Sequence, residues 1–421
     1  MATTVLRRRI EIASPTRQRV IGLVLLGLAF GIWIIFARQV TSDQVTTFSL
    51  TLGGSDVTIP DWVLPSSFTL NVLALAAAML GGIQLARGFG RQTTVVLGIV
   101  SGLFIFGFLT WAAAGQSLNL LGLLTTSLVK AVPITLGAMS GVLCERAGVV
   151  NIAIEGMMLS GAMTGALVGS VSGSLWIGLL AAVLTGGLLG LVHAVLSIKY
   201  RTDQIVSGTV INIFATGITS FVSSKFLQTY QDLNNPGIFA PWPIPVLSKI
   251  PILGPMLFSH NLFVYALYLF LVVITVALFY TRWGLRLRSV GEHPKAADTL
   301  GINVFRTRYM AVLLGGMMAG FGGGYFTLGS VGRFDEVMTA GRGFIGLAAM
   351  IFGNWTPFGS FGAGLIFGFA DSLAAKLAIL GVAIPSDFLL MAPYVATMIA
   401  LAGVVGRGQM PAADGQPYQK E

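Results

Sequence analysis

The sequence predicts an all-α polytopic membrane protein, and three observations carry that prediction. Hydrophobic residues make up 55% of the 421-residue chain and charged residues only 10%, too little charge to cover a soluble protein of this length. Apolar runs of about 20 residues recur from end to end, each long enough to cross a bilayer as a helix. The short alternating segments that transmembrane strands would give are missing.

In chain order, the runs and their breaks predict twelve crossings. They fall near 20–36, 66–86, 93–114, 119–143, 149–171, 175–198, 203–224, 261–280, 309–330, 343–354, 359–377 and 388–406. The tenth is too short to span alone and predicts a broken or re-entrant element. Residues 46–65 alternate polar and apolar side chains around Gly53-Gly54, which predicts a small outer hairpin. The segment 225–255, rich in Pro and aromatics, predicts a partly ordered outer loop.

Basic residues set the orientation. With the N-terminus inside, inner gaps hold 18 of the 25 Lys and Arg, outer gaps hold 6, and Lys130 lies inside a crossing. This is the positive-inside bias, and it predicts that both termini are cytoplasmic. The net charge of +9 is therefore assigned to the bilayer and not to nucleic acid. The basic N-terminus runs into Val20–Phe36, and the following ARQVTSDQ lacks a cleavage pattern, so an uncleaved anchor is expected. Cys144 is the sole cysteine, so no disulfide forms within the chain.

Four polar stretches stand out. In CERAGVVNIAIEGMM (144–158), Glu145 and Arg146 flank a glycine break. Asn151 and Glu155 fall in the next apolar run, four apart and so expected on one helical face. Such a pair is either an interhelical hydrogen-bond clamp or part of a solute path. In TDQIVSGTVINIFATG (202–217), Ser207, Thr209 and Asn212 leave the same two readings open. Asp371 is an ionisable group within a crossing and predicts an internal polar contact. In RWGLRLRSVGEHPKAADTLGINV (282–304), Pro294 suits a first helical turn and Gly301 a position past a helix end. Between them a short inner helix is expected, with a small-residue face suited to docking on a partner.

Absences narrow the function. There is no GxxxxGK[ST], and none of the seven lysines follows a glycine, so the chain has no loop to cradle ATP. His193, His260 and His293 show no metal-ligand spacing, and no nucleophile signature or catalytic residue is found. The glycines of GGMMAGFGGG (315–324) are assigned to helix packing. An ion-driven secondary transporter would need intramembrane carboxylates, which Glu155 and Asp371 could supply. A membrane-embedded enzyme would need clustered Asp, His or Arg at one face, and none occurs.

The stretches ERAGVVNIAIEGMMLSGA, DQIVSGTVINIFATG, GLRLRSVGEHPKAADTLGINV and TAGRGFIGLAAMIFGNW resemble, in that order, the signatures of bacterial ABC-importer permeases. The family is the branched-chain amino acid and ribose permease superfamily, and the likeness to nucleoside and simple-sugar-type permeases is strongest. It covers about residues 118–406. The resemblance implies a vitamin B12- and ribose-type importer core of ten helices (93–406), preceded by an extension (1–92) and followed by a cytoplasmic tail (407–421). It implies a helix broken near mid-membrane at NIAIEG and a translocation path for nucleosides, with sugars or branched-chain amino acids as alternatives. The path residues would be Asn151, Glu155, Ser207, Thr209, Asn212 and Asp371. The family's coupling helix would lie in 284–302, with Arg286, Arg288, Gly291, Glu292, Pro294, Ala296, Ala297, Gly301 and Ile302 toward the ATPase. His293 stands where the family has Asn or Asp, which predicts a weakened helix cap. Implied partners are a cytoplasmic ATPase carrying the ATP-Mg, a second permease subunit and an external solute-binding lipoprotein. This chain would itself bind no cofactor.

Overall fold

The computed structural model describes residues 15–53, 58–382, 385, 387–388, 390–391 and 410–420. The contacts divide the chain into two units, residues 1–122 with 377–383, and residues 123–376 with 384–421.

The first unit is built on α1 (Pro15–Gly31), α2 (Ser66–Ala86) and α3 (Thr93–Ala112). Leu25, Ile32, Leu70 and Val100 form its buried centre, and the ring of Phe36 packs 5.4 Å from those of both Phe104 and Trp111. The expected hairpin is present. Strand β1 (Val45–Ser49) pairs antiparallel with β2 (Trp62–Pro65), while residues 54–57 at its tip lie outside the described residues. A third strand, β3 (Ser117–Asn119), adds parallel to β1. The Thr46 hydroxyl fastens this sheet to the helices, donating to Thr110 O (2.8 Å) with Ser66 Oγ 2.7 Å away. The helix predicted at 93–114 packs with the two before it, and the contact boundary falls after residue 122.

In the second unit α4 (Leu120–Glu145), α5 (Ile154–Ser172), α6 (Leu175–Ala194) and α7 (Gln204–Val222) run in succession. The loop between α7 and the next long helix carries the five-residue α8 (Leu253–Leu257) and a small antiparallel pair, β4 (Trp242–Pro243) and β5 (Ser259–His260). Then follow α9 (Leu262–Tyr280), α10 (Arg282–Glu292), α11 (Pro294–Thr299), α12 (Val304–Phe326), α13 (Arg342–Phe352) and α14 (Pro357–Ile379). Helices α5, α6 and α12 pack directly on one another. The glycines of 315–324 do serve packing. A methyl group on Gly190 would come 2.9 Å from Val312 O, so α6 and α12 approach backbone to backbone.

Among the described residues, ten helical spans are long and apolar enough to cross a membrane, and the chain is a multi-pass membrane protein. They match the predicted crossings except two. The tenth is the 11-residue α13, too short to span, as the sequence indicates. The twelfth, 388–406, lies for the most part outside the described residues.

Candidate functional site

The polar stretches converge on one feature, the interruption between α4 and α5. Residues 146–153 are not helical, and α5 starts only at Ile154. Asn151 and Glu155 therefore do not share a helical face. Asn151 stays in the irregular segment because its own Oδ1 accepts from Ala153 N (3.1 Å), a local turn that competes with helix. Asn151 is fully buried, and its Nδ2 faces Cys144 Sγ (3.5 Å) and Met157 Sδ (3.8 Å).

Backbone that leaves a helix inside a membrane must find other partners, and here side chains of α6 and α7 supply them. Gln204 Oε1 accepts from Val150 N (2.7 Å). His193 Nε2 lies 2.9 Å from Val150 O and Nδ1 3.0 Å from Ser207 Oγ. A carbonyl can only accept, so Nε2 carries the proton and Nδ1 accepts from Ser207. Asn212 donates from Nδ2 to Ile152 O (2.9 Å) and accepts at Oδ1 from Gly156 N (2.8 Å). Thr209 takes no part, its hydroxyl donating to Ile205 O (2.9 Å) on the exposed side of α7.

Glu155 turns the other way. Its Oε1 accepts from Thr339 Oγ1 (2.6 Å) and Gly341 N (2.8 Å), and its Oε2 from Gly343 N (2.6 Å). The carboxylate thus sits on the N-terminus of α13, where free amides and the helix dipole favour negative charge. At its other end α13 runs into Asn354 and Trp355. Trp355 Nε1 donates to Glu145 Oε2 (2.6 Å), and Arg146 Nε donates to Trp355 O (2.9 Å). Eleven helical residues rise about 16 Å, so α13 measures the offset between the two acids. Glu145 and Arg146 thus meet one end of α13, and Glu155 meets the other.

A second cluster joins α4, α13 and α14. Asp371 Oδ1 is 3.2 Å from Lys130 Nζ, and its Oδ2 is 3.5 Å from Arg342 Nη2. From Lys130 to Glu145 α4 rises about 22 Å, and from Pro357 to Asp371 α14 rises about 21 Å. The three side chains are 27–30% exposed. Charged groups within membrane-spanning helices pair with one another, and these three do so.

At the α10 end, Pro294 opens α11 and Gly301 follows it with φ +81°, as expected. The cap is not lost, because His293 Nδ1 accepts from Ala296 N (3.2 Å). Ala297 is buried with Val290, Val304 and Tyr418, whereas Ala296 and Leu300 face outward, Leu300 being 81% exposed. Gly291 abuts Arg146 O so closely that no side chain fits there. Arg286 is exposed, Ile302 half-buried, and the Arg288 guanidinium lies 5.0 Å over the Phe279 ring. Glu292 Oε2 accepts from Ala412 N (3.2 Å). Burial lowers the pKa of Arg146, with Glu292 opposing and Arg288 reinforcing the shift.

Sequence reasoning missed Lys130 and Arg342 as partners of Asp371, and His193 and Gln204 as closers of the break. Three of them carried a signal: Lys130 as a basic residue inside a crossing, and Arg342 and Gln204 in the TAGRGF and DQIVSG stretches. Arg308 and residues 411–418 were likewise passed over.

The family model of the branched-chain amino acid transport system permease component matches residues 123–404, beginning where the second unit begins. Guanosine ABC transporter permease protein NupQ of Bacillus subtilis is 44% identical over 70% of this chain and 95% of its own length. Nucleoside ABC transporter permease protein NupC of Lactococcus lactis is 42% identical over the same shares. Putative glucose ABC transporter permease protein TsgC13 of Haloferax volcanii is 33% identical over 61% of this chain and 77% of its own. No solved structure matches.

Proposed function

The chain belongs to the branched-chain amino acid transport system permease family, and from that premise we propose that it forms the nucleoside path of an ATP-driven importer. The observation that carries the substrate is the pair of nucleoside permeases at 44% and 42% identity, each matched over 95% of its length. The sugar reading stays second because the glucose permease relative is more distant, at 33%. The partners are a cytoplasmic ATPase that carries ATP-Mg, a second permease subunit and an external binding lipoprotein, with both termini of this chain cytoplasmic.

In this reading α11 docks on the ATPase through its outward residues, Ala296 and Leu300 with Arg286 nearby. Gly291, Pro294, Ala297, Gly301 and Ile302 shape and seat the helix. Nucleotide binding pulls α11, and the helices around the break rock to expose the path to one side at a time. Of the residues assigned to the path from sequence, Asp371 fits it best, with Lys130 and Arg342 beside it. Asn151, Glu155, Ser207 and Asn212 hold the break in shape, and Thr209 faces away. The hydrogen bonds of Glu155 and the ion pairs of Asp371 leave neither acid free to carry a coupling ion, which weighs against a secondary transporter.

The test is uptake by the complete transporter in cells stripped of other nucleoside carriers. Labelled guanosine should accumulate, unlabelled nucleosides should compete, and glucose should not. Glucose competition without nucleoside competition would establish the sugar reading instead.

A further inference from the structure

We propose that residues 411–418 act as a strap that carries movement of α10 and α11 to the helix break. This rests on the docking role given to α11 above, and the structure supplies the linkage. Ala413 N donates to Gly291 O (2.9 Å), and Ala412 N to Glu292 Oε2 (3.2 Å), which ties the segment to the end of α10. Tyr418 is buried against Val290, Ala297 and Val304, with its ring 5.4 Å from Phe305, which ties it to α11 and the start of α12.

The other side of the same segment meets the break. Arg308, only 2% exposed, donates from Nε to Ala147 O (3.2 Å) and from Nη1 to Gln416 O (2.9 Å). A side chain on Gly148, at φ +81°, would come 3.0 Å from Ala413 O. Asp414 is buried beside Glu145 and Arg308. Residues 411–418 therefore fill the space between the docking hairpin and the turn at 146–148. A displacement of α11 has three packed routes to Val149–Ala153: this segment, the contact of Gly291 with Arg146, and α12, whose Val312 is buried with Val149. Buried, closely packed groups transmit displacement because they have no slack to absorb it.

The segment also borders an open cleft of about 600 Å³ with α11, lined by His293, Lys295, Gln416, Tyr418 and Lys420 among others. It thus stands beside the docking surface while making its own contacts inward. Its function is transmission and not capture of the ATPase.

The experiment uses the complete transporter with two variants, Ala413→Pro, which removes the N–H bonded to Gly291, and a chain ended after Met410. ATPase capture by the natural chain tests the docking reading by itself. Given capture, both variants should still bind the ATPase and hydrolyse ATP, while nucleoside uptake per ATP falls at least tenfold. Unchanged uptake per ATP overturns the strap. So does loss of ATPase capture by the variants, since the segment would then be a docking surface. A measurement on the natural chain covers the case in which the variants do not fold. Amide exchange of 147–153 and of 411–418 should change together when nucleotide is added, and independent changes overturn the proposal.

Discussion

The break at 146–153 and the cluster of Lys130, Asp371 and Arg342 are both polar and both lie within apolar helices, yet they are built in opposite ways. At the break, amide, imidazole and carboxylate groups are buried and spent on backbone donors and acceptors. At the cluster, full charges face one another with more than a quarter of each side chain exposed. In the first case the side chains replace hydrogen bonds that an interrupted helix has lost. In the second the charges pair with one another while each side chain stays partly exposed. Polarity inside a membrane protein thus has two meanings, separated by whether the partners are backbone or other charges.

Substitutions can break or sharpen this contrast. Glu155→Ala should have the largest effect, since it strips the acceptor from the buried Gly343 amide, the buried Thr339 hydroxyl and the half-buried Gly341 amide. At about 1–3 kcal/mol for each orphaned group, the protein should fail to assemble or melt far below the natural chain in detergent. Asn212→Leu removes two bonds to the break and should cost roughly 2–4 kcal/mol, again read by thermal unfolding. A normal melting temperature with altered transport would move Asn212 from the break to the path.

Asp371→Asn should behave in the reverse manner. A partly exposed ion pair contributes about 0–1 kcal/mol, so melting should change little while uptake falls about tenfold, equivalent to ~1.4 kcal/mol on the barrier. Equal losses in both would make the cluster a structural brace. Thr209→Val lies outside both regions and should stay within about 0.5 kcal/mol of the natural chain.

A milder probe is pH. Burial raises Asp414 to about 6 from 3.8, while Arg308 opposes the shift and Glu145 lies beside it. The folded state then holds a proton that the unfolded state has released, so stability falls as pH rises from about 4 to about 6. The slope is at most roughly 1.4 kcal/mol per pH unit. Asp414→Asn should flatten the melting profile in that window.

Most of the fold was legible because a bilayer demands long apolar helices, and the ten spans lie where hydropathy and Gly or Pro breaks put them. The short α13 was legible for the same reason. The role of Asn151 was not, because a spacing of four implies a shared face only if the helix is continuous, and its own side chain helps to end the helix. Asn212 was legible as polar and interior, but a bond to backbone leaves no complementary residue to find. Lys130 and Asp371 are 241 positions apart, and no local pattern joins them. The outward or inward facing of Ala296 and Ala297 depended on Tyr418, a residue in the tail that no motif marked.

Cys144 lies fully enclosed between α4 and α12, its sulfur touching the amide of Asn151 and the carbonyl of Ala311. Water-borne maleimides therefore find nothing to alkylate in the resting chain, and a fluorophore attached through Leu300→Cys would report from α11 alone, without background. Alkylation of the same thiol during ATP hydrolysis would show that the joint between α4 and α5 opens in turnover, and continued protection would show that it stays closed.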